Sequence, residues 1–471
     1  MAPILYWIRR DLRLSDNPAL TWAKAQGRPI IPVFLLDQVV EGWGAAPRWR
    51  LGLGLEAHAA ALEAVESRLT LRRGPALDTL RGLVAETGAD TVVWNRLYTA
   101  DERARDTEVK EALRGDGLTA RSFNGHVLFE PWTVETGSGG FYRVYTPFWK
   151  NVRDRDPGET LAAPATIPAP EAWPETDALD DWDLGRAMRR GADVVAQHVH
   201  VGESSAQARL GAFIAHKIDG YDIARDMLAE DGTSGLSENL TYGEISARTC
   251  WHAGQRAMAE GKAGAETFLK EVVWRDFAHH LAYHTPHLTS GNWRPEWDAF
   301  PWRGDNAQAE AWRRGRTGIE VVDAGMREMY VTGRMHNRAR MLVASYLTKH
   351  LMTHWRVGCD WFADCLIDWD PASNAMGWQW AAGSGPDAAP FFRIFNPETQ
   401  GEKFDPKGRY RRRWVAELPG PENADALAFY DAIPRSWDMG PGDAYPTAPI
   451  VGLSEGRQRA LDAYAQRDAT E

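Results

Sequence analysis

The sequence is poor in cysteine: Cys250, Cys359 and Cys365 are its three thiols in 471 residues. That number excludes a four-thiolate zinc site and a cysteine-ligated iron–sulfur cluster, and it offers no disulfide framework. Long apolar runs are missing too, since none approaches the roughly 20 residues needed to span a bilayer. The early Ile4–Ile8 run has none of the basic–apolar–small pattern of a signal peptide, which predicts a cytoplasmic protein. Positive charge is also short: 54 Lys and Arg against 65 Asp and Glu leave a formal net charge of −11. Gripping nucleic acid by bulk charge is therefore excluded, whereas a local basic groove on an acidic body is not. No G-x-G-x-x-G follows the first apolar run, so a Rossmann dinucleotide site is unsupported.

Tryptophan, by contrast, is abundant, with 22 in the chain and 13 of them from Trp251 onward. The length suggests two to four domains. Residues 1 to about 130 alternate apolar runs (Ile4–Ile8, Ile30–Leu36, Thr91–Trp94) with segments of helical spacing (Leu55–Leu69, Asp78–Glu86). Such alternation predicts an α/β domain with a parallel sheet covered by helices, whose ligands would bind at the carboxyl ends of the strands. Between Asp154 and Asp181, Pro157, Pro164, Pro168, Pro170 and Pro174 forbid regular structure and predict a surface connector. Beyond about His200 the helical period dominates. The expected division is an α/β domain over 1–130, a Pro-rich linker over 131–200 and a larger all-α domain over 201–471.

Four segments of the helical part carry unusual chemistry. Tyr221 to Arg225, then Gly232-Thr233-Ser234-Gly235-Leu236-Ser237, puts hydroxyls and free N–H groups at a helix start, which suits phosphate or an ordinary cap. Glu271 and Trp274 share a helical face, a carboxyl beside an aromatic plate that suits a flat heterocycle; spacing alone favours a buried Trp with a surface acid. His279, His280, His284 and His287 follow, but no carboxylate or Cys completes a metal set, so core or solvated histidines and no metal are expected. In Met335 to Met341, Asn337 and Met341 fall on one face, and Arg334 with Arg338 form a cationic stripe equally consistent with a salt-bridged surface. The fourth segment runs from Asp368 through Asp370, Asn374, Trp378 and Trp380 to Gly385, and its acids, amide and indoles around glycines predict a cavity lining.

Taken together, these motifs resemble the photolyase/cryptochrome family, and within it the bacterial cyclobutane pyrimidine dimer photolyases. The resemblance begins at Trp7-Ile8-Arg9-Arg10-Asp11-Leu12-Arg13 and continues through Thr233–Ser237, Trp274-Arg275-Asp276-Phe277, Met335-His336-Asn337-Arg338 and Trp378-Gln379-Trp380. It ends at Phe391-Phe392-Arg393-Ile394-Phe395-Asn396-Pro397. It implies an antenna-type α/β domain, an all-α FAD-binding domain and a carbon–carbon lyase. Excited reduced FAD (FADH⁻) would donate an electron to a dimer flipped out of UV-damaged DNA and recover it, with no net redox change.

By motif, Tyr221, Thr233, Ser234, Gly235, Leu236 and Ser237 would hold FAD. Asp368 and Asp370 would line the flavin, Arg340 would pair with Asp368, and Asn374 would face flavin N5. Glu271 would hydrogen-bond a thymine, with Trp274, Trp380, Asn337 and Met341 around the dimer. Arg225, Arg275, Arg338, Arg393 and Gln400 match DNA-contact positions. Trp378, Trp355 and Trp302 occupy the positions of an electron-transfer triad. Glu102 matches an antenna acid, which favours folate (methenyltetrahydrofolate), with a deazaflavin, a flavin or an empty site as the alternatives. Trp43-Gly44 and the loop from Thr289 to Trp293 depart from the folate pattern. A bacterial, cytoplasmic monomer that meets the nucleoid when bound to DNA is expected, without membrane or obligate protein partner. The rivals are a cryptochrome-type light sensor, disfavoured by the retained dimer-pocket residues, and a six-four photolyase, which would have His at Asn337. A flavin electron carrier would leave the pocket pattern unexplained.

Overall fold

The computed structural model describes residues 1–468. Five parallel strands, β1 (Ile4–Ile8), β2 (Ile30–Leu36), β3 (Thr70–Arg73), β4 (Thr91–Asn95) and β5 (Thr119–Phe123), form one sheet in the order β3-β2-β1-β4-β5. β1, β2 and β4 are buried along their whole length, which is why they read as uninterrupted apolar runs. The edge strands β3 and β5 are short and partly exposed, and periodicity did not reveal them.

One helical expectation needs correction. The segment expected to be helical over Leu55–Leu69 instead belongs to a helix over Ala45–Glu63; Glu66 then takes a left-handed φ of 61°, and Leu69 leads into β3. Strand pairing of Thr70 with Val33 overrides the local leucine spacing. The helix expected over Asp78–Glu86 is present as Ala76–Thr87.

At the carboxyl ends of the strands, polar side chains pair with one another. Asp11 accepts from the Tyr6 hydroxyl (2.7 Å) and from Asn95 Nδ2 (2.6 Å), Arg9 pairs with Asp106 (2.7 Å), and Arg105 pairs with Asp37 (2.9 Å). The proline-rich stretch has little regular structure but is not a free tether. Pro168 O accepts from Ile30 N (2.8 Å), Leu161 O accepts from Asp16 N (2.7 Å), and Asp177 N donates to Leu71 O (2.9 Å). With Ile167 buried, the segment is a strap along the sheet domain.

The described chain divides into two compact units. The first comprises residues 1–186, 200–219 and 234–286, and the second comprises residues 187–199, 220–233 and 287–468. In the second unit, the helix Glu320–Thr332 buries Val322, Met326 and Met329 in a core with Trp312, Leu342 and Leu347. Among the described residues, no helix is long and apolar enough to cross a membrane.

Candidate active site

In the second unit, the helix Pro371–Ala382 starts at Asp370, whose Oδ1 accepts from Ser373 N (2.8 Å), with Pro371 at the first helical position. Asp370-Pro371 is thus a cap as well as a turn. In the first turn, the Asn374 amide nitrogen donates to Cys359 O (3.0 Å) and Cys359 Sγ (3.3 Å), which assigns the amide's orientation and leaves its oxygen as an acceptor. Burial pushes the Cys359 thiol up, so it remains protonated. Trp378 is buried edge-on to Phe362 (centroids 4.9 Å apart) and to Trp312 (6.0 Å).

The helix Trp355–Cys365 supplies Gly358 at the point where Trp378 lies; a Cβ there would meet the indole at 2.1 Å. Trp355 is fully buried, and the His354 ring neighbours both it and Trp302, with centroids 5.6 Å apart in each case. Gln379, between the two indoles of the Trp-Gln-Trp motif, is fully buried and fastens a loop. It donates to Leu288 O (2.8 Å) and Gly291 O (3.0 Å) and accepts from Trp293 N (2.8 Å).

The helix Asn337–Ser345 is capped by His336, whose Nδ1 accepts from Arg338 N (3.1 Å); burial drops this imidazole to about 4. Asn337 is exposed and Met341 half-buried. Arg340 Nη2 donates to both oxygens of Asp368 (3.0 and 2.8 Å), while its Nε is tied to Met335 O (2.8 Å). The expected Arg334/Arg338 stripe is not formed as a helical pair. Arg334 precedes the helix and donates to His198 O (3.0 Å), whereas Arg338 pairs with Asp226 (2.5 Å) above the Phe404 ring (4.3 Å). Arg338 and Gln400 line an open groove of about 470 Å³ together with Lys403, Ile223 and Phe395. Tyr221 is buried, with the Arg225 guanidinium 5.4 Å from its ring; Arg393 is exposed and Trp380 half-buried.

In the first unit, Gly235 takes a left-handed φ of 62°, and Leu236 N donates to Ser234 Oγ (3.4 Å). The helix Ser237–Tyr242 that follows is anchored by a network of buried side chains. Arg50 holds Glu244 with two bonds (3.0 and 2.7 Å), Asn239 donates to Glu244 (2.6 Å), and Glu238 accepts from His200 N (2.7 Å). Sequence patterning gave no sign of Arg50 or Glu244, because lone charges in helical segments look like surface.

The helix Ala265–His284 holds Glu271 and Trp274, both half-buried. Tyr145 stacks on the Trp274 indole (3.6 Å, 8° between planes), and its hydroxyl donates to Lys270 O (2.6 Å). Arg275 is turned to His126, donating to its carbonyl (2.6 Å). Asp276 accepts from Leu128 N (2.7 Å), and burial pushes its carboxyl up to about 6. His279 and His280 are core residues, and burial lowers His280 to about 3. His284 stacks on Phe141 at 4.8 Å. Glu102 is buried in a capping box with Thr99, whose hydroxyl donates to it (2.6 Å), and it faces Arg10 at 3.5 Å.

The profile described as DNA photolyase matches residues 4–171, and that described as FAD binding domain of DNA photolyase matches residues 268–466. The chain is 46% identical over 472 residues to the deoxyribodipyrimidine photo-lyase of Agrobacterium fabrum, covering 98% of each. This chain belongs to the DNA photolyase family. A class III photolyase from Agrobacterium tumefaciens superposes with a TM-score of 0.91 at 46% identity, over 100% of this chain and 98% of that one. Cryptochrome-1 of Arabidopsis thaliana is 34% identical over 98% of this chain but only 70% of its own length.

Within the stretch matched to the FAD-binding domain, residues 268–466, Arg340 and Asp368 form an ion pair and Asn374 presents a carbonyl acceptor, groups whose chemistry suits a flavin. The Thr233–Ser237 segment lies outside that stretch; it offers hydroxyls and N–H groups, with Gly235 in a conformation that disfavours other residues.

Proposed function

We propose that this chain is a deoxyribodipyrimidine photo-lyase that repairs cyclobutane pyrimidine dimers in DNA under light. The observation that carries the reading is the likeness, over 98% of both chains, to a protein of that name. It is supported by the Glu271/Trp274 face and by the Arg338/Gln400 groove. When bound, reduced FAD supplies the excited electron that opens the dimer and takes it back.

The chain's own residues bind, orient and shield. Tyr221, Thr233, Ser234, Gly235, Leu236, Ser237, Asp368, Asp370 and Arg340 hold the cofactor. Asn374, with its nitrogen occupied by Cys359, accepts at the flavin without imposing a negative charge. Trp274, braced by Tyr145, and Trp380, Asn337 and Met341 receive the flipped dimer. Glu271 hydrogen-bonds a thymine and steadies the charge arriving on it. Arg225, Arg275, Arg338, Arg393 and Gln400 position the DNA backbone. Trp378, Trp355 and Trp302 carry electrons inward to rereduce resting flavin.

The functional division is 1–130 for the antenna domain, 131–200 for the linker and 201–471 for FAD and DNA. The antenna is folate, methenyltetrahydrofolate, in preference to a deazaflavin or a flavin. Glu102 is its candidate acid, sharing a carboxylate already used by Thr99. The protein acts as a cytoplasmic monomer, joining the nucleoid through damaged DNA.

The test is purified, chemically reduced holoprotein with dimer-containing DNA, under blue or near-UV light and in darkness. Loss of dimers only in the light is expected. No loss, with reduced flavin confirmed, overturns repair in favour of the light-sensor reading that the Cryptochrome-1 likeness offers. The absorption spectrum before and after chromophore extraction identifies the antenna.

A further inference from the structure

We infer that Asn292 is a positioning residue that keeps Trp355 a proton-retaining carrier of the electron hole. The inference rests on the proposed tryptophan path and names what tunes its middle member. Trp355 is fully buried, and its indole Nε1–H donates to Asn292 Oδ1 at 2.7 Å, at the short end for an N–H···O bond. Asn292, 6% exposed, turns its Nδ2 to Asp298 Oδ1, also at 2.7 Å. With both ends of the amide occupied, its orientation is assigned by the network: oxygen to indole, nitrogen to carboxylate.

The loop is fixed on both sides of Asn292. Gln379 holds Gly291 O and Trp293 N, and Arg356 donates to Ser290 O (2.6 Å). Asn292 is thereby held to Trp355 by the residue that sits between Trp378 and Trp380.

An indole that has lost one electron carries a positive charge, and its N–H becomes strongly acidic. What the N–H faces then decides the outcome. A carboxylate or a free imidazole takes the proton, and the hole stops as a neutral radical. A carboxamide oxygen stabilises the positive charge but is too weak a base to keep the proton. Asp298, exposed on the far side, polarises the amide and makes its oxygen a better acceptor without touching the indole. The nearby His354 has Nδ1 engaged by Arg356 N (3.1 Å), and burial holds its ring below the usual histidine range.

The electron count is simple. Trp355 gives one electron to oxidised Trp378, keeps its Nε1–H, and receives one electron from Trp302. No bond forms or breaks at Trp355, and the hole ends on Trp302, which is half-buried and donates to Trp297 O (3.2 Å).

The experiment is flash photolysis of holoprotein with oxidised flavin, following the tryptophan radical bands in H2O and D2O. Parent protein, the exchange Asn292→Asp/Asp298→Asn, Asn292→Leu and Trp355→Phe are compared at matched flavin loading. The second change in the exchange removes the carboxylate that would otherwise share a proton with Asp at position 292. In the parent, the cationic indole signal passes on from Trp355 without a solvent isotope effect. In the exchange variant, a neutral tryptophan radical forms early, shows an isotope effect, and stable photoreduction falls several-fold. In Asn292→Leu the radical stays cationic, with a smaller fall in yield. Both position-292 variants, once chemically reduced, should remove dimers at the parental rate. Parental radical spectra and yields in the exchange variant, with Trp355→Phe slow, overturn this inference alone. Parental photoreduction in Trp355→Phe overturns the tryptophan path and this inference with it.

Discussion

A methyl group at position 358 would stand 2.1 Å from the six-membered ring of Trp378, with two more of its ring carbons within 2.6 Å. Gly358→Ala should therefore cost about 1–3 kcal/mol through overpacking and push the indole off its place. The expected readouts are a lower denaturant midpoint and slower flavin photoreduction, with parental repair by pre-reduced enzyme. The Arg50–Glu244 pair gives a contrasting case at the same scale. Arg50 faces two fully buried carboxylates, Glu244 at 2.7 Å and Glu238 at 3.5 Å, so Arg50→Met removes the cation from both and should cost at least about 3–5 kcal/mol in urea unfolding. Trp378 stood out in a segment dense in indoles and acids, whereas Trp355 came only through the family resemblance. Gly358 and Asn292 did not stand out, and Gln379 did so only as part of a motif, because their roles depend on what crosses over them and not on their neighbours in the chain.

Elements with one continuous buried face were legible, and those defined by pairing were not. β1, β2 and β4 announce themselves as apolar runs, whereas β3 and β5 exist because β2 and β4 offer them an edge. The helix Pro371–Ala382 shows how one element serves two purposes. Asp370 caps it, Asn374 sits in its first turn, and Trp378, Gln379 and Trp380 follow near its end. Asp370→Ala should lower the stability of the flavin-free protein by about 1 kcal/mol, and Asp370→Asn by less, because the amide can still cap. Thermal unfolding of the two variants separates that capping loss from any change in flavin retention. The Arg334/Arg338 stripe failed for a related reason: His336 starts the helix later than the residue spacing suggested, so the two arginines leave in different directions.

For the molecule as a whole, acid is the clearest stress. Burial lowers His58 to about 4, His280 to about 3, His336 to about 4 and His350 to about 4. In the unfolded chain they titrate near the ordinary value of about 6.5. The unfolded state therefore binds more protons from about pH 7 downward, and stability falls as pH falls. Asp276, raised to about 6, works in the opposite sense and offsets part of the loss from about pH 7 downward. Urea midpoints should decline between about pH 7.5 and 6, where the four histidines outweigh that carboxyl, each adding at most about 1.4 kcal/mol per pH unit. His280→Gln should flatten that decline.

The first compact unit is built from residues 1–186 together with 200–219 and 234–286. A ribosome releases the sheet long before the last of these helices. At about 5–20 residues per second, the stretch from 187 to 286 takes roughly 5–20 s to make. During that interval the nascent strands have their strap but lack the helix Ala265–His284, so Asp276 has yet to reach the Leu128 and Phe129 amides. Completion of the unit is timed by translation of its distal part. Codon choice across residues 187–286 thus becomes a lever on the yield of folded protein that no single side chain provides.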